Sequence, residues 1–102
     1  MVKYVYAIDY PTGQKRAYLE WVRTIADKLQ APPELKRVAS YDNFFSASPQ
    51  RTVEFEFDTL EDAARYFQRP EISHIFQAEL PTHAGNIRVT VVKALGDYNK
   101  RG

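Results

Sequence analysis

The stretch Arg51-Thr52-Val53-Glu54-Phe55-Glu56-Phe57 decides the fold of this chain. From Val53 onward, large apolar and polar residues alternate at a period of two, which is typical of a strand with one buried face. Residues 2–10 carry a similar pattern, so these two segments are predicted to be the central strands of one sheet. The face expected to be buried in residues 2–10 consists of Val2, Tyr4, Tyr6, Ile8 and Tyr10.

Two helical segments separate the predicted strands. Residues 14–30 carry an apolar stripe at helical spacing and end before Pro32, because proline disfavours helical geometry in the preceding residue. Asp58-Thr59 offers good N-caps for a second helix, which Pro70 should kink or restart and Pro81 should end. The first stripe comprises Tyr18, Leu19, Trp21, Val22, Ile25, Ala26 and Leu29. The second comprises Leu60, Ala63, Ala64 and Phe67 before Pro70, and Ile72, Ile75, Phe76 and Leu80 after it.

The order of elements predicts the fold class. Further strands are expected at residues 35–45 and 87–95, with Gly96 ending the last one. The resulting βαββαβ order, with two helical crossovers and a middle hairpin, predicts an α+β, ferredoxin-like fold. We expect one antiparallel four-stranded sheet with two helices on one face, formed by residues 1–102 as a single domain.

Composition excludes several classes of site and partner. The chain has no cysteine, so disulfides, thiolate zinc sites and iron–sulfur clusters are excluded. Fourteen basic residues against thirteen acidic ones give a net charge of +1, which favours neither nucleic acid nor an anionic membrane. No apolar stretch approaches the length of a membrane span, and the alternating start resembles no secretory signal. We expect a soluble, cytoplasmic protein with no cofactor.

One face of the predicted sheet is left without a helix. It carries charges of both signs together with some apolar surface, and the edge strands also need a partner or a blunting device. A homodimer would cover this face, so we expect a homodimer. The residues expected on the face are Lys3, Val5, Ala7, Asp9, Glu54, Glu56, Arg88, Thr90 and Val92.

Several segments together resemble the dimeric α/β-barrel superfamily. They are Tyr4–Tyr10, the helix with Trp21, Leu35–Val38, Val53–Phe57 and Thr59–Phe67 with the following Pro70-Glu71. The superfamily includes antibiotic-biosynthesis monooxygenases, stress-responsive barrel proteins and muconolactone isomerases. The resemblance implies a homodimer whose two sheets close into a barrel, with any ligand cavity between each sheet and its own helices.

The same resemblance bears on haem chemistry. The haem-degrading branch of the superfamily relies on an Asn of the first strand, a Trp of the third strand and a helix His. The first strand here offers Asp9, and the third has no tryptophan. This departure argues against haem degradation.

His74 is the candidate catalytic residue, because a neutral imidazole can move a proton near pH 7. Alternatively, His74 is an exposed or boundary residue of the second helix. His83 is expected to be exposed to solvent. Glu71 and His74 have the i, i+3 spacing of di-iron helices, but those sites need two such pairs, so no metal site is predicted. Asp9-Tyr10 is either an acid–base pair or the start of a turn.

Five aromatic residues are predicted to point into the space between sheet and helices. As a group they would line a ligand pocket, and the alternative interpretation is a packed aromatic core. These residues are Tyr4, Tyr6, Tyr18, Trp21 and Phe67.

The leading functional hypothesis is a pocket that binds or transforms a small apolar or aromatic metabolite. If the protein is an enzyme, we expect cofactor-independent oxygenation or isomerisation, with His74 as base and Trp21 and the tyrosines positioning substrate. The alternative is a non-catalytic small-molecule-binding module, such as a sensor, or a purely structural dimerisation module. RNA binding is disfavoured, because Glu54 and Glu56 on the open face would repel phosphate.

Overall fold

The computed structural model of the chain describes residues 1–45 and 47–95. Within them, four strands form one antiparallel sheet in the order β2-β3-β1-β4. This is the strand order of the predicted ferredoxin-like fold, and β1 and β3 are central as expected. The strands are β1 (Val2–Asp9), β2 (Arg37–Asp42), β3 (Arg51–Phe57) and β4 (Gly85–Lys93).

The two crossovers are helical and pack on one face of the sheet. The first is α1 (Lys15–Gln30); the second consists of α2 (Leu60–Gln68), α3 (Pro70–His74), a π-helical turn (Ile75–Glu79) and α4 (Leu80–His83). Thr59 caps α2, since its side-chain oxygen accepts a hydrogen bond of 3.1 Å from the backbone N–H of Asp62. Arg69 is extended and Pro70 begins α3, so the predicted restart at Pro70 is confirmed. In the described ranges, no helix has the length and apolarity needed to cross a lipid bilayer.

The helical segment does not end at Pro81, and the prediction was wrong there. The backbone N–H of Leu80 donates to the carbonyl of Ile75, five residues earlier, and this wider turn leads directly into α4. Pro81 lies in the first turn of α4, where a missing N–H leaves no helical hydrogen bond unmade. The helical segment therefore continues to His83.

Two strand boundaries also differ from the prediction. The second strand was expected over residues 35–45, but Leu35 belongs to a turn in which its N–H donates to the carbonyl of Pro32. The last strand occupies Gly85–Lys93 instead of 87–95, and Gly96 lies outside the described residues.

The register of β1 with β3 assigns the two faces of the sheet. Tyr4 lies opposite Phe55 and Tyr6 opposite Val53, and all four side chains pack in clusters with the helices. Lys3 pairs with Glu56 on the other face. The prediction of which faces are covered is confirmed.

The core consists of two clusters. The α1 cluster contains Ile8, Tyr18, Trp21, Ile25, Ile75, Leu80 and Ala84. The aromatic cluster contains Phe55, Phe57, Ala63, Tyr66 and Ile72, with Tyr4 and Phe67 packed against it. Both clusters lie on the helix side of the sheet, where the second crossover and α1 cover it.

The buried face of α2 differs from the predicted one. Tyr66 is 0% exposed, whereas Leu60 is 56% exposed and Ala64 also faces solvent. The Tyr66 hydroxyl donates a hydrogen bond of 2.6 Å to the carbonyl of Leu29, so the ring is buried without leaving its polar end unpaired. Helix α2 is therefore rotated so that Tyr66, and not Leu60, faces the core.

Truncation of Phe57 should destabilise the fold strongly. The side chain is 0% exposed, and a buried Phe→Ala change costs about 3–5 kcal/mol because it leaves a cavity. Phe44→Ala is the matched control, because Phe44 is 91% exposed and its loss should change the free energy of unfolding by less than about 0.5 kcal/mol. Urea unfolding followed by circular dichroism measures both, and equal effects would contradict the assignment of the core.

Candidate functional site

A cavity of about 130 Å³ lies between α1 and the sheet, lined by the α1 cluster and, on the sheet side, by Phe55 of the aromatic cluster. Its walls come from β1, β2, β3, α1 and the helical segment around the π turn, and they are mainly apolar. A dry apolar cavity of about 150 Å³ is large enough to bind benzene, so this one has room for a single ring. The walls include Tyr6, Tyr18, Trp21, Ala26, Ile75 and Phe76, with Gln30, Ser40 and Arg51 as the polar members.

The structure divides the five predicted pocket residues between two places. Tyr6, Tyr18 and Trp21 line the cavity. Tyr4 and Phe67 belong with the aromatic cluster, where their ring centroids lie 4.6 Å apart. A pocket and a packed aromatic core are thus both present, side by side on the same face of the sheet.

His74 does not line the cavity. Its side chain is 67% exposed, and its Nε2 lies 3.8 Å from Oε2 of Glu79. The other carboxylate oxygen of Glu79 accepts a hydrogen bond of 3.1 Å from the indole N–H of Trp21. Among the described residues, the side-chain contacts of His74 lead to the cavity through Glu79 and Trp21, and its catalytic role stays a prediction.

His83 was expected in solvent but is half-buried. Its ring stacks on Trp21 with centroids 4.6 Å apart and an interplanar angle of 15°. Trp21 is thus held by stacking on one side and by its hydrogen bond to Glu79. Within residues 1–45 and 47–95, no three His, Cys, Asp or Glu side chains are grouped as metal ligands.

Arg51 is a wall residue that the sequence prediction missed. It is the first residue of β3 and points to the same face as Val53, toward the cavity. Its Nη1 lies 3.3 Å from the Tyr10 hydroxyl and 3.4 Å from Oδ1 of Asp42. The available signal was a break in the alternation, because Arg51 places a charge in the register of the apolar residues.

Asp42, which does not itself line the cavity, connects Arg51 to two further polar groups. It accepts hydrogen bonds from the Tyr10 hydroxyl at 2.5 Å and from Nζ of Lys15 at 3.1 Å. The Tyr10 hydroxyl, followed by Lys15, holds the pKa of Asp42 below its usual value. Asp42 is therefore ionised near neutral pH.

The groups around Asp42 keep their ordinary protonation states. Burial raises the pKa of Tyr10 and of Tyr18, and it raises the pKa of Tyr6 to about 12. Burial opposes the charge on Arg51, but its contacts with Tyr10, Tyr18 and Asp42 raise the pKa of the guanidinium. Neutral hydroxyls and a charged guanidinium thus face each other near pH 7.

Asp9 braces the loops beside the site. It accepts hydrogen bonds from Ser48 Oγ at 2.7 Å, from the backbone N–H of Gln50 at 2.9 Å and from the Asn86 amide at 2.8 Å. The Asn86 amide is the largest of the contacts that lower the pKa of Asp9. Since the Tyr10 hydroxyl donates to Asp42, Asp9 and Tyr10 are not paired through the hydroxyl.

Comparison with known proteins identifies the fold. No protein-family model and no curated protein matches the sequence. Similar solved structures include a protein of Deinococcus radiodurans provisionally described as an antibiotic biosynthesis monooxygenase, with 13% identity and a TM-score of 0.78 over 100% of both chains. A dimeric ferredoxin-like protein of unknown function from Thermobifida fusca has 18% identity and a TM-score of 0.71, over 91% of this chain and 90% of that one.

A haem-degrader of Mycobacterium tuberculosis, MhuD, has 13% identity and a TM-score of 0.75, over 97% of this chain and 100% of that one. These proteins share the ferredoxin-like α+β fold with this chain. The ferredoxin-like fold predicted from the sequence is therefore confirmed.

Tyr10→Phe should raise the pKa of Asp42 toward its usual value. The hydroxyl donates to the ionised carboxylate, so its loss removes the largest cause of the lowered pKa. Because folding lowers the pKa of Asp42, the ionised carboxylate stabilises the fold above about pH 4. This stabilisation is lost as the pH falls through the pKa that Asp42 has in the folded protein. Carboxyl-carbon NMR titration measures the pKa. The control is Tyr41→Phe, whose exposed ring lies on the open face, and an equal shift there would contradict the assignment.

Proposed function

We propose that this protein binds a small, single-ring apolar or aromatic molecule in the cavity between α1 and the sheet. The cavity itself carries the proposal. Ligand sites in proteins are concave and mainly apolar, with a few polar groups, and this cavity fits that description. A space of this size, lined mainly by apolar side chains, is suited to a small ligand whose apolar surface contacts those walls.

The size of the cavity limits the ligand class. It offers room for one ring, whereas haem has four pyrrole rings joined in a single plane. The haem chemistry in the description of the mycobacterial structure is therefore not proposed for this chain.

The side chains that line the cavity favour ligand binding over catalysis. Among the described residues that line the cavity there is no histidine and no carboxylate, the usual general bases. The tyrosines that line it are poor bases, since burial raises the pKa of Tyr6 and Tyr18. His74, the base predicted for cofactor-independent oxygenation or isomerisation, does not line the cavity.

Filling the cavity should abolish ligand binding. Toluene is a suitable probe, and Trp21, the single tryptophan of the chain, reports on occupancy through its fluorescence. At a concentration of 100 times its Kd, toluene should stabilise the wild-type protein by about 2.7 kcal/mol. Ala26→Phe places a ring in the cavity wall and should remove both the fluorescence change and the stabilisation.

Ala17→Phe is the matched control, because Ala17 lies on the same helix but is exposed. It should bind toluene like the wild type. Ser40→Leu, on the sheet side of the cavity, replaces Ala26→Phe if that variant does not fold. If the wild-type protein binds neither toluene nor similar one-ring compounds, the result would favour the purely structural dimerisation module.

We also propose that the chain forms a homodimer through the open face of the sheet. Lys3 lies 3.4 Å from Glu54 and 3.3 Å from Glu56, and Arg37 lies 3.8 Å from Glu56. The ion pairs raise the pKa of Lys3, with the Glu56 contact as the largest cause. Because these charges are paired within the chain, the face can be covered by a second copy without leaving them unpaired.

Val5→Glu should convert the dimer into a monomer. Val5 lies near the middle of the open face, opposite Glu54 on one side and Thr90 on the other. A carboxylate there would repel Glu54 and would have to lose its hydration in the interface. Light scattering coupled to size-exclusion chromatography gives the molecular mass, and Ala64→Glu, at an exposed position of α2, should remain dimeric. A monomeric wild-type protein at high concentration would refute the dimer.

A further inference from the structure

Arg51 is the one charged side chain among the described residues that line the cavity. Its side chain is only 13% exposed, and Tyr18 packs against the guanidinium with 5.5 Å between Cζ and the ring centroid. Placing a charge beside an apolar cavity is costly unless the charge is paired and hydrogen-bonded. The partners of Arg51 therefore decide what this cavity can bind.

The hydrogen bonds of Arg51 are incomplete. A guanidinium has five N–H donors. The hydrogen bonds to Tyr10 and Asp42 are both made by Nη1, at 3.3 and 3.4 Å, which is beyond the usual range of distances. Its Nε is buried and has no hydrogen-bond partner within residues 1–45 and 47–95. Nearly all buried polar groups in proteins are paired, with ordered water among the partners, so this donor is available to an acceptor from water or from a ligand.

The local charge favours a negatively charged acceptor. Both Arg51 and Lys15 contact the carboxylate of Asp42, at 3.4 and 3.1 Å. The group of Arg51, Lys15 and Asp42 thus contains two cations and one anion, which leaves one positive charge uncompensated. The neighbouring Tyr10 and Tyr18 add hydroxyl dipoles but no charge, since burial raises the pKa of both.

We infer that the ligand of the cavity is a small anion with one apolar ring, a ring carboxylate, whose carboxylate binds Arg51 while its ring fills the space beside Trp21 and Phe76. A guanidinium binds carboxylates with two parallel hydrogen bonds, and such charge-assisted bonds are about twice as strong as neutral ones. The inference rests on the proposed function and names the ligand class for the same cavity.

Three probes of similar ring size separate the charge from the ring: benzoate, benzamide and toluene. Isothermal titration calorimetry at pH 7 on the wild-type protein should give a Kd for benzoate about tenfold or more below those for benzamide and toluene. Equal Kd values for the three probes would overturn the inference and leave the proposed binding function standing. Absence of binding by all three would overturn both.

Arg51→Gln should weaken benzoate binding about tenfold or more and change toluene binding by less than about twofold. Arg51→Lys keeps the charge but not the planar pair of donors, so it should recover only part of the benzoate affinity. Arg23→Gln is the matched control: it removes the same charge from an exposed position on α1 and should bind benzoate like the wild type. If Arg51→Gln does not fold, the comparison of the three probes on the wild-type protein still decides the question, and benzoate binding that survives Arg51→Gln would refute the role of Arg51.

Discussion

The burial of Phe55 and Phe57 under the helices is the interaction on which the rest of the structure depends. They are 2% and 0% exposed, and they lie two residues apart on a central strand. Since side chains of a strand alternate, their burial places Glu54 and Glu56 on the opposite face, next to Lys3. A register slip of one residue would bury both glutamates and expose both rings, so this one contact fixes the position of every residue in β3.

The same face of the sheet is packed densely at one end and left partly empty at the other. In the aromatic cluster, Phe67 packs edge to face with Phe57 and with Tyr66, and the Tyr66 and Phe67 centroids are 5.0 Å apart at 89°. In the α1 cluster, the cavity walls include the small side chains of Ala26 and Ser40. The aromatic cluster is therefore filled by rings, whereas the part of the sheet under α1 keeps a cavity.

Much of this arrangement is predictable from the sequence. The period of two identifies both central strands and their buried faces, and the helical stripe contains Tyr18 and Trp21, which line the cavity. What local patterns miss depends on distant partners. Tyr66 replaces Leu60 in the core because its hydroxyl reaches the carbonyl of Leu29, 37 residues earlier. A hydrophobicity pattern has no information about such a contact.

The helix around Pro81 and the role of Arg51 were missed for related reasons. Pro81 predicts a helix end from its missing N–H, but a π turn just before it places the proline where that N–H is not needed. Arg51 visibly interrupts the apolar alternation, yet its burial depends on Tyr10, 41 residues away in sequence, and on the cavity formed by α1. These features depend on tertiary contacts, which a local reading of the sequence does not contain.

The two faces of the sheet differ in how fully their charged side chains are paired. On the open face, Lys3 and Arg37 contact Glu54 and Glu56, so two cations meet two carboxylates. On the helix side, the cations of Arg51 and Lys15 meet a single carboxylate. The charges of Lys3, Glu54 and Glu56 are paired within the chain, so they need no new partner when a second surface covers them. The cation of Arg51 beside the cavity is not fully paired, so it requires an anion for the same reason. The open face is therefore suited to assembly, and the helix side is suited to a ligand.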